Sequence, residues 1–261
     1  MPTLGARTWP APCPRSRYTR VSAAVPPTLV SVGVPVYNGA ATIEMALRSL
    51  VDQTHRHLEI IISDNASTDD TEAIAERFAA SDVRVRYHRQ PDNIGAANNF
   101  RYVLEQATGP FFMWAAADDS WAPTFVEANL RALLDDPGLV GSVSRVAWQV
   151  DGEPAGLAPG TAALTGTASE NIRTYLRTAR DNSRFYGLFR RDALMRSYPL
   201  ETFLALDLAV MIGTLRFGRH AQLDDVLMTR GRNDPSSYAQ RPDDVQGGRL
   251  TRLFPLLPFT R

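Results

Sequence analysis

The chain has 261 residues, 28 basic against 28 acidic side chains, 44% hydrophobic composition and one cysteine, Cys13. That length fits one large α/β unit, because a single core stops growing at roughly 250 to 300 residues. Zero net charge leaves no broad basic footprint for nucleic acid, and a lone cysteine excludes an intrachain disulfide and a thiolate zinc site. The chain has no lysine, which excludes Schiff-base chemistry and a Walker-type loop.

No stretch reaches the ~18 to 20 apolar residues of a membrane span, and no apolar leader region opens the chain, so a cytoplasmic location is expected. Met1 to Pro27 carries Arg7, Arg15, Arg17 and Arg20, several prolines and no acid, and is read as a disordered extension.

Order is expected from Leu29. An apolar run to Val36 predicts a strand, and Ile43, Leu47, Leu50 and Val51 recur at about one helical turn, which predicts a helix. Leu58 to Ile62 has the continuous apolar character of a strand buried on both faces of a parallel sheet. Ser63 to Asp70 breaks it with turn formers, and Asp69 with Glu72 is a candidate capping pair for the next helix.

Val83, Val85 and Tyr87 alternate with Arg84, Arg86 and His88 as a half-exposed strand, before a helix carrying Phe100, Val103 and Leu104. Phe111 to Ala117 is a fourth apolar run. It ends at Asp118 and Asp119, ahead of a helix with Phe125, Leu130, Leu133 and Leu134. Strands alternating with helices predict a parallel sheet.

Beyond Leu139 the pattern predicts a strand to Val150, a mobile loop over Asp151 to Thr167, a helix over Ile172 to Thr178 and a strand over Phe185 to Phe189. A long helix over Phe203 to Phe217 and a strand over Gln222 to Thr229 complete the body. Leu253 to Phe259 is apolar and punctuated by prolines; docking on the core is the expected fate, with a membrane or partner contact as the alternative.

In an open parallel sheet, ligands bind outside the carboxyl ends of the strands. Four polar segments fall there: Pro35-Val36-Tyr37-Asn38, Ser63-Asp64-Asn65-Ala66-Ser67, Asp92-Asn93-Ile94-Gly95 and Ala117-Asp118-Asp119. No GxGxxG turn and no GxxxxGK loop accompanies them, which removes ordinary dinucleotide and P-loop readings.

In order and spacing these segments, from about Ser31 to Asp119, resemble the family 2 inverting glycosyltransferases of GT-A fold. Tyr186-Gly187-Leu188-Phe189-Arg190-Arg191, Asp207 and Asp224 to Ser237 match more loosely. The resemblance implies a Rossmann-like, mostly parallel central sheet with helices on both faces. It places the domain at residues 28–245, with a nucleotide-binding half to about 120, an acceptor half from about 121, and a tail over 246–261. It further implies transfer of a sugar from a nucleoside-diphosphate donor, UDP or dTDP favoured, to a hydroxyl-bearing glycan or lipid-linked acceptor, with a peripheral membrane contact as an option.

Asp118 and Asp119 form a hard-oxygen pair suited to Mg²⁺ or Mn²⁺, with helix capping as the bland alternative. The first aspartate of the family's Asp-x-Asp falls at Ala116; by resemblance Asp119 is the more direct metal ligand, and Asp118 supports it near the ribose or a phosphate-bound water. Asp64 could accept the imide N–H of uracil or thymine, and in the family this aspartate reads the base; the alternative is an Asx-turn.

Tyr37 is a candidate for stacking on the base, while Pro35, Asn38, Asn93 and Gly95 are candidate nucleotide contacts, a plain turn being the alternative for the last two. Asp207, in an apolar setting, is the candidate base that takes the acceptor proton, with helix capping as its alternative. Arg230 and Arg232 could face the departing diphosphate or lie in a solvated loop; a histidine is common in the family where Arg232 stands.

The four histidines are expected on surfaces, and Trp114 and Trp121 in the core. A nucleotidyltransferase would have a basic, glycine-rich first loop, which Tyr37-Asn38-Gly39-Ala40 is not. Ala116 and Arg232 leave a non-catalytic nucleotide-sugar-binding scaffold as the rival.

Overall fold

The computed structural model describes residues 26–150, 153–179, 181–199, 201 and 205–232. Cys13, most of the expected N-terminal extension, Phe203, Leu204, Ser237 and the tail over 246–261 lie outside them.

Four strands, β1 (Val30–Val36), β2 (Leu58–Asp64), β3 (Val85–Arg89) and β4 (Phe111–Trp114), run parallel in the order β3-β2-β1-β4. All seven residues of β1 are buried, as its unbroken apolar run requires between two neighbours. The register sets Val36 opposite Asp64 and Gly33 opposite Trp114, so the chain leaves β1, β2 and β4 at one end of the sheet.

Helices α1 (Ile43–Val51), α2 (Thr71–Ser81) and α3 (Ala96–Glu105) supply the parallel crossovers. Helix α1 buries Ile43, Ala46, Leu47 and Leu50, a stripe of helical period. Helix α3 packs on β1 at Gly33, where a Cβ would lie 2.6 Å from Val103 Cγ2. Leucine, isoleucine and phenylalanine side chains buried in this layer each stabilise the fold by roughly 1.5 to 3 kcal/mol.

The second half is mixed. Beyond β4 the sheet continues through β8 (Leu188–Arg190), β6 (Leu139–Val150), β9 (Arg219–Arg232) and β5 (Asp119–Trp121). Strands β6 and β9 are parallel, whereas β8 is antiparallel to both β4 and β6 and β5 is antiparallel to β9. Helices α4 (Phe125–Asp135), α5 (Ala168–Thr178), α6 (Arg191–Ser197) and α7 (Leu206–Thr214) flank this part of the chain.

Several expectations change in detail. The supposed loop over 151–167 contains β7 (Glu153–Leu157), which pairs antiparallel with β6, and a 3-10 turn over Pro159–Thr161. Tertiary bonds hold it: Ala158 N–H to the Val146 carbonyl at 2.9 Å, Gln222 to Thr161 at 2.6 Å, and a bridge between Leu164 and His220. All five residues of β7 are exposed, Gly156 has a φ of 104°, and β6 bulges between Trp148 and Gln149 beside it.

The expected strand over Phe185 to Phe189 divides into a 3-10 turn, Ser183–Tyr186, and β8. Val83 is fully exposed, and β3 starts at Val85. Asp69 does accept the Thr71 N–H at 3.1 Å, but Glu72 returns no bond and pairs instead with Arg89 at 3.3 Å.

Two histidines expected on the surface are buried. His55 meets the Thr28 carbonyl at 2.8 Å, and His220, fully enclosed, lies 3.0 Å from Thr214 Oγ1 and 3.5 Å from an Arg184 nitrogen. Burial, with the Arg184 charge added, holds the His220 imidazole well below its ordinary pKa and therefore neutral. Trp114 and Trp121 are core residues, as expected.

Candidate active site

Asp64 ends β2 and is wholly buried. Its Oδ1 accepts the Ser67 N–H at 2.8 Å across a turn in which Ala66 has a φ of 60°, and its Oδ2 accepts from the Tyr87 hydroxyl at 2.9 Å and Arg89 Nη1 at 3.0 Å. The local turn bond and the strand-end carboxylate therefore coexist. Burial first, then the bond to Asp64, push the Tyr87 hydroxyl far above the ordinary phenol range, so it stays a donor.

Tyr37 and Asn38 follow β1 directly. Tyr37 is half-buried; Asn38 is exposed, with a left-handed φ of 51°. Asn38 donates its N–H to Ser67 Oγ at 2.8 Å, and its Oδ1 accepts the Thr68 N–H at 2.8 Å. The loops after β1 and β2 are thus fastened together.

Asn93 braces the next pair of loops: its Oδ1 accepts from Asn65 Nδ2 at 2.8 Å and from the Gly95 N–H at 2.9 Å. Gly95 has a φ of 82° with open space around its missing Cβ, so backbone conformation explains the glycine there. Pro35 is buried within β1 opposite Ser63.

The acidic pair lies where β4 hands over to β5. Asp119 opens β5 opposite Arg230 of β9, and only 1% of it is exposed. Neither of its carboxylate oxygens has a hydrogen-bond partner, and Arg230 Nε stands 3.4 Å from Oδ2. Burial pushes the carboxyl up to about 8, against the pull of Arg230. Asp118 is half-buried, and burial raises its pKa as well. Helix α4 starts after Thr124, so neither aspartate caps it.

Arg230 lies inside a strand, not in the solvated loop that was the alternative. Its guanidinium is held between the rings of Trp148 and Tyr186, 4.8 and 4.7 Å from their centroids, and Nη1 donates to the Asp181 carbonyl and to Ser183 Oγ, both at 3.1 Å. Gly231 follows, and a Cβ there would fall 2.7 Å from the Asp118 carbonyl oxygen. Arg232 closes β9 opposite Val150.

Two buried carboxylate oxygens without donors are what a hard cation would satisfy, so Asp119, with Asp118 beside it, fits Mg²⁺ or Mn²⁺. Among the described residues no group of three His, Cys, Asp or Glu side chains could hold a metal. The remaining ligands would be phosphate oxygens and water, as is usual for Mg²⁺ bound together with a phosphorylated substrate.

Asp207 is half-buried in the first turn of α7 and is not the cap residue; that position is Ala205, with a φ of 67°. Asp207 Oδ1 accepts the Leu208 N–H at 2.8 Å. Its charge reaches the hydroxyls of Tyr175 and Tyr198, which are held above the ordinary phenol range chiefly by burial. Helix α7 packs against the 183–186 turn, which supplies Ser183 and Tyr186 to the Arg230 cage. Asp224 and Asp225 are exposed on β9.

Sequence reasoning missed Tyr87 and Arg89 as partners of Asp64, and Trp148, Asp181, Ser183 and Tyr186 around Arg230. The period-2 spacing of Tyr87 and Arg89 was visible, but that β3 lies beside β2 was not.

The mixed sheet, with its polar strand ends and its buried acidic turn, defines a GT-A architecture. A crystal structure of S. aureus TarS, residues 1–349, in complex with UDP-GlcNAc matches with a TM-score of 0.65 at 20% identity, covering 81% of this chain and 60% of that one. The mannosyltransferase PcManGT from Pyrobaculum calidifontis, in complex with GDP-Man and Mn²⁺, matches with a TM-score of 0.59 at 21% identity, covering 86% of this chain and 64% of that one.

Residues 31–197 match the model of glycosyl transferase family 2, and the chain belongs to that family. TuaG of Bacillus subtilis (strain 168), a glycosyltransferase named for teichuronic acid biosynthesis, is 36% identical over 107 residues, 41% of this chain and 42% of that protein. The chain thus spans about two fifths of the length of that relative.

Proposed function

We propose that the chain transfers a sugar from a nucleoside-diphosphate donor, with UDP or dTDP as the carrier, to a hydroxyl of a glycan or lipid-linked acceptor, with inversion and with help from Mg²⁺ or Mn²⁺. The observation that carries this reading is Asp119, a buried carboxylate whose two oxygens have no hydrogen-bond partner, on the stretch of chain that follows β4 from the sheet end where Tyr37 and Asp64 also leave β1 and β2.

Tyr37 stacks on the base and Asp64 accepts its imide N–H, with Pro35, Asn38, Asn93 and Gly95 shaping the strand-end wall. Asp119 and Asp118 hold the cation, which when bound neutralises diphosphate charge. Arg230 adds positive charge beside the acidic pair, and Arg232 follows two residues on in β9. Asp207 takes the proton of the acceptor hydroxyl as its oxygen attacks the anomeric carbon and the bond to the diphosphate breaks on the opposite face.

The working domain is residues 28–245, with its nucleotide half to about 120. Among the described residues no helix is long and apolar enough to cross a membrane; a cytoplasmic enzyme touching the membrane periphery accommodates a lipid-linked acceptor. The neighbours' bound donors, UDP-GlcNAc and GDP-Man, differ in base, so the preference for UDP or dTDP rests on Asp64.

The test is a thermal-shift panel of UDP, dTDP and GDP with and without Mn²⁺, followed by donor hydrolysis. Metal-dependent stabilisation with release of nucleoside diphosphate is expected. Stabilisation without any release would leave a nucleotide-sugar-binding scaffold.

A further inference from the structure

The partners of Asp64 leave it an uneven set of acceptor positions. A carboxylate oxygen has about two lone-pair sites. On Oδ2 both are taken, one by the Tyr87 hydroxyl at 2.9 Å and one by Arg89 Nη1 at 3.0 Å. On Oδ1 one is taken, by the Ser67 N–H at 2.8 Å. A single site remains.

Tyr87 and Arg89 are two residues apart on β3, so they share a face, and the register places Arg89 opposite Asp64 and Tyr87 opposite Ile62. Arg89 is itself fixed by the Ser67 carbonyl at 2.8 Å and by Glu72 at 3.3 Å. The closed oxygen is therefore built into the strand pairing.

We infer that Tyr87 and Arg89 are specificity-determining residues that close one oxygen of Asp64 and so admit uracil or thymine while turning away guanine. A pyrimidine imide offers one N–H between two carbonyls and needs one acceptor. Guanine presents N1–H and N2–H side by side, and a carboxylate satisfies that edge only with both oxygens. With Oδ2 closed, one guanine donor is buried without a partner, and a site that strands a polar group discriminates strongly. Asp64 is wholly buried in this conformation, so contact with a base requires the surrounding strand-end loops to shift.

The inference rests on the nucleotide reading above and is tested separately from it. Calorimetry with Mn²⁺ measures UDP, dTDP and GDP binding to the wild type, to Tyr87→Phe and to Arg89→Met; the second variant covers a failure of the first to fold. The wild type is expected to bind UDP or dTDP at least about tenfold more tightly than GDP, and each variant to narrow that ratio about tenfold through tighter GDP binding. A merely structural role for Tyr87 or Arg89 would weaken all three ligands together and leave the ratio alone, and that result overturns the inference. Wild type that binds GDP as tightly as UDP overturns it too. Wild type that binds none of the three removes the nucleotide reading, and the inference with it.

Discussion

Asp119 and Arg230 are register partners across β5 and β9, and their side chains approach to 3.4 Å in a place where only 1% of the acid and 10% of the base is exposed. The contact lacks hydrogen-bond geometry, and neither carboxylate oxygen has a hydrogen-bond partner. The arginine lowers the cost of burying the acid while leaving its oxygens able to take another ligand.

Asp119→Asn keeps the shape and removes the charge. The Mn²⁺-dependent thermal shift with UDP should disappear. A variant that retains the full Mn²⁺ response would end the assignment of Asp119 as the metal ligand.

Arg230→Met should have the opposite profile. Removing one member of a buried pair costs about 3 kcal/mol or more, here by leaving Asp119 without its cation and emptying the space between the Trp148 and Tyr186 rings. Mn²⁺ alone should then raise the melting temperature by more than it does in the wild type, since the cation replaces the lost charge. Equal Mn²⁺ shifts in the two proteins would count against the pairing.

Gly231→Ala tests the close approach of β9 to the acidic turn. The added methyl would meet the Asp118 carbonyl oxygen at 2.7 Å, so the turn has to move, at a cost of about 1 to 3 kcal/mol. Chemical denaturation should register that loss, and calorimetry should register weaker Mn²⁺ binding. Unchanged metal affinity would show that the turn tolerates displacement.

Asp207→Asn separates chemistry from folding. Asparagine Oδ1 can still accept the Leu208 N–H, so the melting temperature should hold. Turnover should fall by roughly 10²-fold or more with donor affinity nearly constant, the share ordinarily carried by a general base. Near-normal turnover would eliminate Asp207 and turn attention to Asp224 and Asp225.

His220 predicts acid sensitivity. Its folded pKa lies well below 6.5, so as pH drops through 6.5 the unfolded chain takes up a proton that the fold refuses. The stabilising contribution is therefore fully present above about pH 6.5 and declines below it, by up to about 1.4 kcal/mol per pH unit. Urea titrations at several pH values should trace that slope, and His220→Gln should flatten it. The same slope in the variant would assign it to other groups.

The first half was legible because β1, β2 and β4 are apolar runs buried between neighbours, as in Val30–Val36 and Leu58–Asp64, while β3 shows a plain alternation. The second half was not. Glu153–Leu157 forms a strand with every residue exposed, Leu188–Arg190 is three residues long, and α6 buries only Ala193 and Leu194, so none of them carries a readable period.

The same division runs through the site. Asp64 and Asp119 announce themselves as acids that stop an apolar run. Arg230 meets Asp119 only because β9 returns beside β5, a pairing of residues 111 positions apart that no local pattern encodes. Asp69 and Glu72 show the converse, a capping signature whose glutamate the fold diverts to Arg89.

The outer strand β7 is where the sheet meets solvent beyond β6, and its backbone makes a poor template for another chain. Pro154 has no N–H to offer, Gly156 turns the chain to a φ of 104°, and the partner strand bulges at Trp148 and Gln149. Self-propagating strand addition along this margin is therefore blocked by the backbone itself, so charged side chains are not needed there to keep copies of the chain apart.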